Sequence, residues 1–98
     1  MATFSEHIRE DKLTLVDFSA TWCGPCKAME PVLQQLKADL GEAVRILKID
    51  IDKSPAAARA YQVQAVPTLL LFRKGSLLWR QSGAVDISFL KQKLASFR

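Results

Sequence analysis

Leu13-Thr14-Leu15-Val16-Asp17-Phe18 runs through Ser19-Ala20-Thr21 into Trp22-Cys23-Gly24-Pro25-Cys26-Lys27, an apolar run followed by a closely spaced cysteine pair. Leu13 to Phe18 is apolar on both faces apart from Thr14 and Asp17, the pattern of a central parallel strand covered by helices. From Lys27 to Leu40, the stripe Leu33, Leu36 and Leu40, extended by Met29 and Val32, marks an amphipathic helix. The chain's only two cysteines therefore stand where strand passes into helix. Neighbouring side chains on a helical turn lie about 5–6 Å apart, and a disulfide needs Cα atoms roughly 4.4–6.8 Å apart. A pair at this spacing can close and open with little backbone movement. The unpaired N–H groups and the macrodipole at the helix start favour a thiolate on the first cysteine.

The remaining elements follow outward from this junction. Pro25 suits the first helical turn, where its missing N–H goes unnoticed. Pro31 predicts a kink rather than an end, because the apolar stripe continues beyond it. Gly41 closes the helix at C′. Upstream, Phe4 and Ile8 with Thr3 as N-cap predict a short helix over residues 3–10, and Asp11-Lys12 a turn. Downstream, Val44 to Asp50 alternates and is rich in branched residues, so it is a strand. Ser54 as cap and Pro55 at the first position open a helix filled by Ala56 to Tyr61. A strand from Thr68 to Phe72 meets a hairpin turn at Lys74-Gly75, and its partner, Leu77 to Gln81, is broken by Gly83. Trp79 is expected to pack on that strand. Asp86 caps a last helix with Ile87, Leu90 and Leu94 inward and Phe97 near its end. The order α-β-α-β-α-β-β-α is an α/β chain. A βαβ unit with a right-handed parallel crossover is closed by an antiparallel hairpin, giving a central mixed sheet flanked by helices.

Composition bounds what this fold can do. The length of 98 residues, 49% of them hydrophobic, fits one small domain, 1–98, with a single core. Four glycines and four prolines leave no linker or low-complexity stretch. The net charge is +4, yet Arg45, Lys48, Lys53, Arg59, Arg73, Lys74, Arg80, Lys91, Lys93 and Arg98 are scattered among acidic residues. Nucleic-acid binding wants a clustered patch, so it is not expected. Met1 to Lys12 contains no apolar run of signal-peptide length, and the longest apolar run, Leu69 to Phe72, is far below a membrane span. The chain is therefore expected in the cytoplasm, where a disulfide is more often catalytic than structural. One bridge over so small a loop would constrain the unfolded chain very little. Tetrahedral zinc usually needs four Cys or His ligands. Two cysteines and the distant, surface-type His7 do not supply them, so no metal ligand is assigned.

Val16-Asp17-Phe18-Ser19-Ala20-Thr21-Trp22-Cys23-Gly24-Pro25-Cys26-Lys27 resembles the active-site stretch of the thioredoxins, and the resemblance covers nearly the whole chain. Cys-x-x-Cys alone is a weak signal; Trp-Cys-Gly-Pro-Cys after an apolar strand is a strong one. The resemblance implies the thioredoxin fold, in a short form lacking the first strand of longer members, and a thiol–disulfide oxidoreductase with a redox-active pair. Cys23, expected to be exposed, is then the nucleophile. Cys26, expected to be buried, is the resolving thiol, whose attack on the mixed disulfide is intramolecular and correspondingly favoured. Oxidising and isomerising relatives carry a His between the cysteines. Gly24-Pro25 brings no such charge, which favours the disulfide and makes a better reductant.

Other positions have two readings each. Read from the residues alone, Asp17 is a carboxylate at a strand end, wetted by a loop or paired with Lys48. The resemblance makes it a buried proton acceptor and donor for Cys26. Lys48 either lies near Asp17 and lowers its pKa, or faces solvent. Pro67 is either a trans proline blocking edge pairing or, as the resemblance implies, a cis proline facing the disulfide. Val66 would then offer its backbone to an extended substrate segment. Trp22 is a core aromatic and Gly83 a strand terminator on the bland reading. On the other, Trp22, Gly24, Pro25, Pro67, Gly83 and Ala84 form a flat apolar docking surface. Ser19 stands where many bacterial thioredoxins have Trp, and animal forms often share this Ser.

The implied role is a general electron donor in cell redox homeostasis that binds no cofactor. Electrons would come from NADPH through a flavin-containing thioredoxin reductase. Targets would be disulfide-containing proteins of the ribonucleotide reductase, peroxiredoxin or methionine sulfoxide reductase type, met by a monomer. A redox-gated binding module using the same surface is the competing class, and an isomerase or oxidase differs only in poise.

Overall fold

The computed structural model describes residues 3–97, so Met1, Ala2 and the basic Arg98 lie outside it. The elements are α1 (Phe4–Arg9), β1 (Leu13–Ser19), α2 (Gly24–Leu40), a 3₁₀ turn (Gly41–Ala43), β2 (Val44–Asp50), α3 (Pro55–Ala60), β3 (Thr68–Arg73), β4 (Ser76–Ser82) and α4 (Ile87–Ser96). The four strands form one sheet in the order β2-β1-β3-β4. β1 pairs parallel with β2 and antiparallel with β3, and β3 pairs antiparallel with β4. This is the expected mixed sheet: a βαβ unit closed by a hairpin.

Every residue of β1 is buried, because helices cover both faces of the sheet. On one face Leu13, Leu15, Leu69 and Leu71 pack against Met29, Leu33 and Leu36 of α2 and Leu90 and Leu94 of α4. On the other, Val16, Phe18, Leu70 and Phe72 pack under Ile8 of α1, with Phe4 and Tyr61 closing the cluster. Phe4, Tyr61 and Phe72 meet edge to face at centroid separations of 5.3–6.2 Å, the geometry that opposes the negative face of one ring to the positive edge of another. Trp79 packs on Phe89 of α4, as expected of a strand residue.

Local chemistry sets the ends of the elements. Thr3 accepts from the Glu6 N–H while Glu6 reaches back to the Thr3 N–H, a complete capping box on α1. Asp86 caps α4 through the Phe89 N–H at 2.8 Å. The hairpin turn falls at Lys74-Gly75, both with positive φ (54° and 80°), the backbone a two-residue turn needs to match strand twist. Their N–H groups donate to the Glu10 and Ile8 carbonyls, which seats the turn on α1. α2 runs through Pro31 as one helix, as the continuing stripe predicted.

One expectation is corrected. Ser54 makes no side-chain cap. Asp50 instead organises the turn that leads into α3: its Oδ1 accepts from the Asp52 and Lys53 N–H groups, and its carbonyl accepts from the Ser54 N–H. The end of α3 uses Gln62 rather than a glycine, at φ 54°. The Gln62 N–H bonds the Arg59 carbonyl and the Val63 N–H bonds the Ala58 carbonyl, a Schellman end. The Arg80 guanidinium donates to the Tyr61 and Gln62 carbonyls and steadies it.

Candidate active site

Cys23 is the N-cap of α2, which begins at Gly24 rather than at Lys27. Its Sγ accepts the Cys26 N–H at 3.1 Å, so one orphan donor of the helix end points at this sulfur. Cys23 and Cys26 are joined as a disulfide, with Cα atoms 5.3 Å apart. Negative charge forming on Cys23 Sγ on reduction would be met by that N–H and by the positive end of a 17-residue helix. Cys26 is buried, as expected, but Cys23 is not exposed: in the disulfide only 4% of it is accessible. It is covered by Ala20, Ile51 and Val66, and the Val66 carbonyl oxygen lies 3.7 Å from its Sγ.

The surface around the pair gathers the other docking candidates. Trp22 is 67% exposed, so it is not a core aromatic. Its indole N–H donates to Asp52 at 2.9 Å, fixing the ring beside the cysteines. Gly24 and Pro25 are exposed, and a Cβ added at Gly24 would meet nothing within 4 Å. The Val66–Pro67 peptide bond is cis. The buried Pro67 accepts the Gly83 N–H at 2.8 Å, which draws the exposed Gly83 and Ala84 to the same side as Val66. The Val85 N–H reaches the buried Met29 sulfur at 3.4 Å and ties this loop to α2.

Asp17 lies under α2 with no accessible surface, and neither carboxylate oxygen has a hydrogen-bond partner in the protein. Burial pushes its pKa from 3.8 up to about 6; the Lys48 ammonium opposes this and the Glu30 carboxylate adds to it. Lys48 is Asp17's register partner on β2, yet its ammonium does not bond Asp17. It donates to Glu30 at 2.7 Å, on the exposed side of α2. Sequence reasoning missed both Glu30 and Asp52. Glu30 could have been found as the acid one turn beyond Cys26 on the helix that covers β2. Two clefts meet at the Glu30–Lys48 pair: one of about 560 Å³ reaches Cys26 past Lys27 and Lys53, and one of about 400 Å³ has Asp17 in its wall. Among the described residues no group of three or more His, Cys, Asp or Glu side chains is placed to hold a metal ion. No described helix is long and apolar enough to cross a membrane.

The thioredoxin family model matches residues 1–96. The chain belongs to the thioredoxin family. It is 44% identical over 97 residues to a thioredoxin-like protein of Synechocystis, covering 98% of this chain and 92% of that one. It is 41% identical over 88 residues to the chloroplastic thioredoxin Y of Oryza sativa, covering 90% of this chain but only 52% of the rice protein, so it spans about half of that relative. Among solved structures, the oxidised mitochondrial thioredoxin 3 of Saccharomyces cerevisiae superposes with a TM-score of 0.85 at 36% identity, covering 95% of this chain and 86% of that one. The four-stranded sheet and the cysteine pair at the start of α2 are those of a thioredoxin, and the protein is a thiol–disulfide oxidoreductase.

Proposed function

We propose that this thioredoxin is a protein-disulfide reductase. In its reduced form the Cys23 thiolate attacks one sulfur of a target disulfide, forming a mixed disulfide and releasing the first target sulfur as a thiolate. The Cys26 thiol passes its proton to Asp17 and attacks Cys23 Sγ. The Cys23–Cys26 disulfide forms, the second target sulfur leaves, and Asp17 returns the proton to a leaving thiolate. Two electrons have moved from the pair to the target, and all atoms balance. Lys48, through its field at Asp17, eases ionisation of that carboxyl.

The observation that carries this reading is the Cys26 N–H directed at Cys23 Sγ from the first turn of α2, which stabilises the attacking thiolate. Gly24 and Pro25 add no cation, which supports a reducing rather than oxidising poise. Target segments would lie extended along the Val66 backbone, over Trp22, Gly24, Pro25, Pro67, Gly83 and Ala84. The exposure of Trp22 supports this. In this reading a flavin-containing thioredoxin reductase regenerates the dithiol with electrons from NADPH. The monomer serves cytoplasmic targets of the ribonucleotide reductase, peroxiredoxin and methionine sulfoxide reductase type.

The test is the reduction potential of the pair, from equilibration in graded dithiol buffers, acid quench and thiol alkylation. Thioredoxins themselves supply the reference value of about −270 mV, and a result near it supports the reductase. A potential at or above about −180 mV refutes it in favour of an isomerase or oxidase.

A further inference from the structure

Glu30 has no part in the reaction just described, yet it holds a residue that does. Asp17 and Lys48 are register partners across the parallel β1·β2 ladder, so both side chains leave the sheet on the face that α2 covers. The sheet thus offers a cation to a buried carboxyl whose two oxygens have no partner. That offer is not taken up. Lys48 Nζ lies 2.7 Å from Glu30 Oε1, and this half-exposed pair lines both the cleft that reaches Cys26 and the cleft that contains Asp17.

We propose that Glu30 is a positioning residue: by holding the Lys48 ammonium away from Asp17, it sets how readily the carboxyl beneath the cysteine pair takes up a proton. This rests on the reading that Asp17 exchanges the Cys26 proton. Other charges around Asp17 are few. Lys37 of α2 lines its cleft, but its ammonium is committed to the Gly41 and Val44 carbonyls. Lys27 of α2 acts on Glu30, and Asp50 of β2 acts on Lys48. From β3 the register partner is Leu69, and α4 packs this face with Leu90 and Leu94, none of them charged. The opposed influences of Lys48 and Glu30 on Asp17 agree with the geometry. An ion pair this exposed can exchange partners at little cost, so loss of the Glu30 charge frees Lys48 to turn inward.

The test is a carbon-13 titration of the Asp17 carboxyl in the full oxidised chain, where the cysteines do not titrate. It uses the wild type, Glu30→Gln, Lys48→Met and the double variant, alongside pH–rate profiles for protein-disulfide reduction. Glu30→Gln lowers the Asp17 midpoint by about one pH unit, tenfold in proton affinity, and the Asp17-dependent limb of the rate profile moves with it. In the Lys48→Met background the same change moves the midpoint less than a third as far. A midpoint that does not move, or that moves equally without Lys48, overturns the proposal. An Asp17→Asn variant with an unaltered rate profile refutes the proton-transfer reading instead. The two failures are separable because the Asp17 midpoints are read directly.

Discussion

Asp17→Asn should stabilise the protein at neutral and alkaline pH and leave it unchanged in acid. The carboxyl is fully buried without a hydrogen-bond partner, and burial lifts it from the ordinary 3.8 to about 6. A folded state that binds a proton more tightly than the unfolded state has its greatest share of stability when that proton is on. The Asp17 contribution is therefore fully present below about 4 and is lost as pH rises to about 6, above which the fold carries an ionised carboxylate it solvates poorly. At 1.36 kcal/mol per pH unit, the gap between the two values amounts to roughly 3 kcal/mol. Asn has nearly the same shape and no charge, so it removes that cost while keeping the packing beneath α2. Its unpartnered amide resembles the unpartnered protonated acid it replaces, so no large new penalty appears at low pH. The assay is urea unfolding of the oxidised protein, wild type against Asp17→Asn, at pH 8 and at pH 4. The expected gain is about 2–3 kcal/mol at pH 8 and under about 0.5 kcal/mol at pH 4, with equal denaturant slopes. A gain of the same size at both pH values, or none at pH 8, would refute the desolvation argument.

Three further outcomes follow from the site and the helix ends. Cys26→Ser should accumulate a mixed disulfide with a protein target through Cys23, visible as a dithiol-sensitive band on a non-reducing gel, while Cys23→Ser should trap nothing; trapping by both variants would disprove the assignment of nucleophile and resolver. Trp22→Ala removes an exposed ring held by one bond to Asp52, so urea unfolding should register at most about 1 kcal/mol. KM for a protein disulfide should nonetheless rise several-fold with kcat little changed, and an unaltered KM would remove Trp22 from the docking surface. Asp86→Ala deletes the side-chain cap of α4 and should cost about 1 kcal/mol in the same unfolding assay, with a cost below about 0.3 kcal/mol counting against the cap.

Most of the fold was legible because its signals are short-range and redundant. The doubly apolar run Leu13 to Phe18 fits a covered central strand, and every residue of β1 is indeed buried. Caps at Thr3 and Asp86 act on N–H groups three residues away, a distance over which sequence spacing is geometry. What was not legible lies at the two ends of α3. Ser54 sits before Pro55 and has the chemistry of a cap, yet its side chain bonds no N–H of α3, while Asp50 holds the turn just before it. Gln62 ends α3 in a conformation usually left to glycine, and the bonds that hold it there include two from Arg80, far along the chain on β4. No local pattern announces a donor supplied across the fold.

The site divides along the same line. Cys23 and Cys26 were legible because their relation is a single helical turn, and Pro67 and Gly83 because family likeness carried them. The electrostatics beneath the pair were not, because they depend on which of two carboxylates Lys48 chooses. The parallel register puts Lys48 beside Asp17, and from the two strands alone that pairing looks natural. It loses to Glu30 for a physical reason: Glu30 is half exposed, so the Lys48 ammonium pairs with it and stays wetted, whereas pairing with Asp17 would carry that ammonium out of water into a buried site. Left without a fixed cation or hydrogen-bond partner, the buried Asp17 carboxyl holds its proton up to about pH 6. The same imbalance hides the arrangement from the sequence, and under the mechanism proposed above it is what would let Asp17 take and return the Cys26 proton near neutral pH.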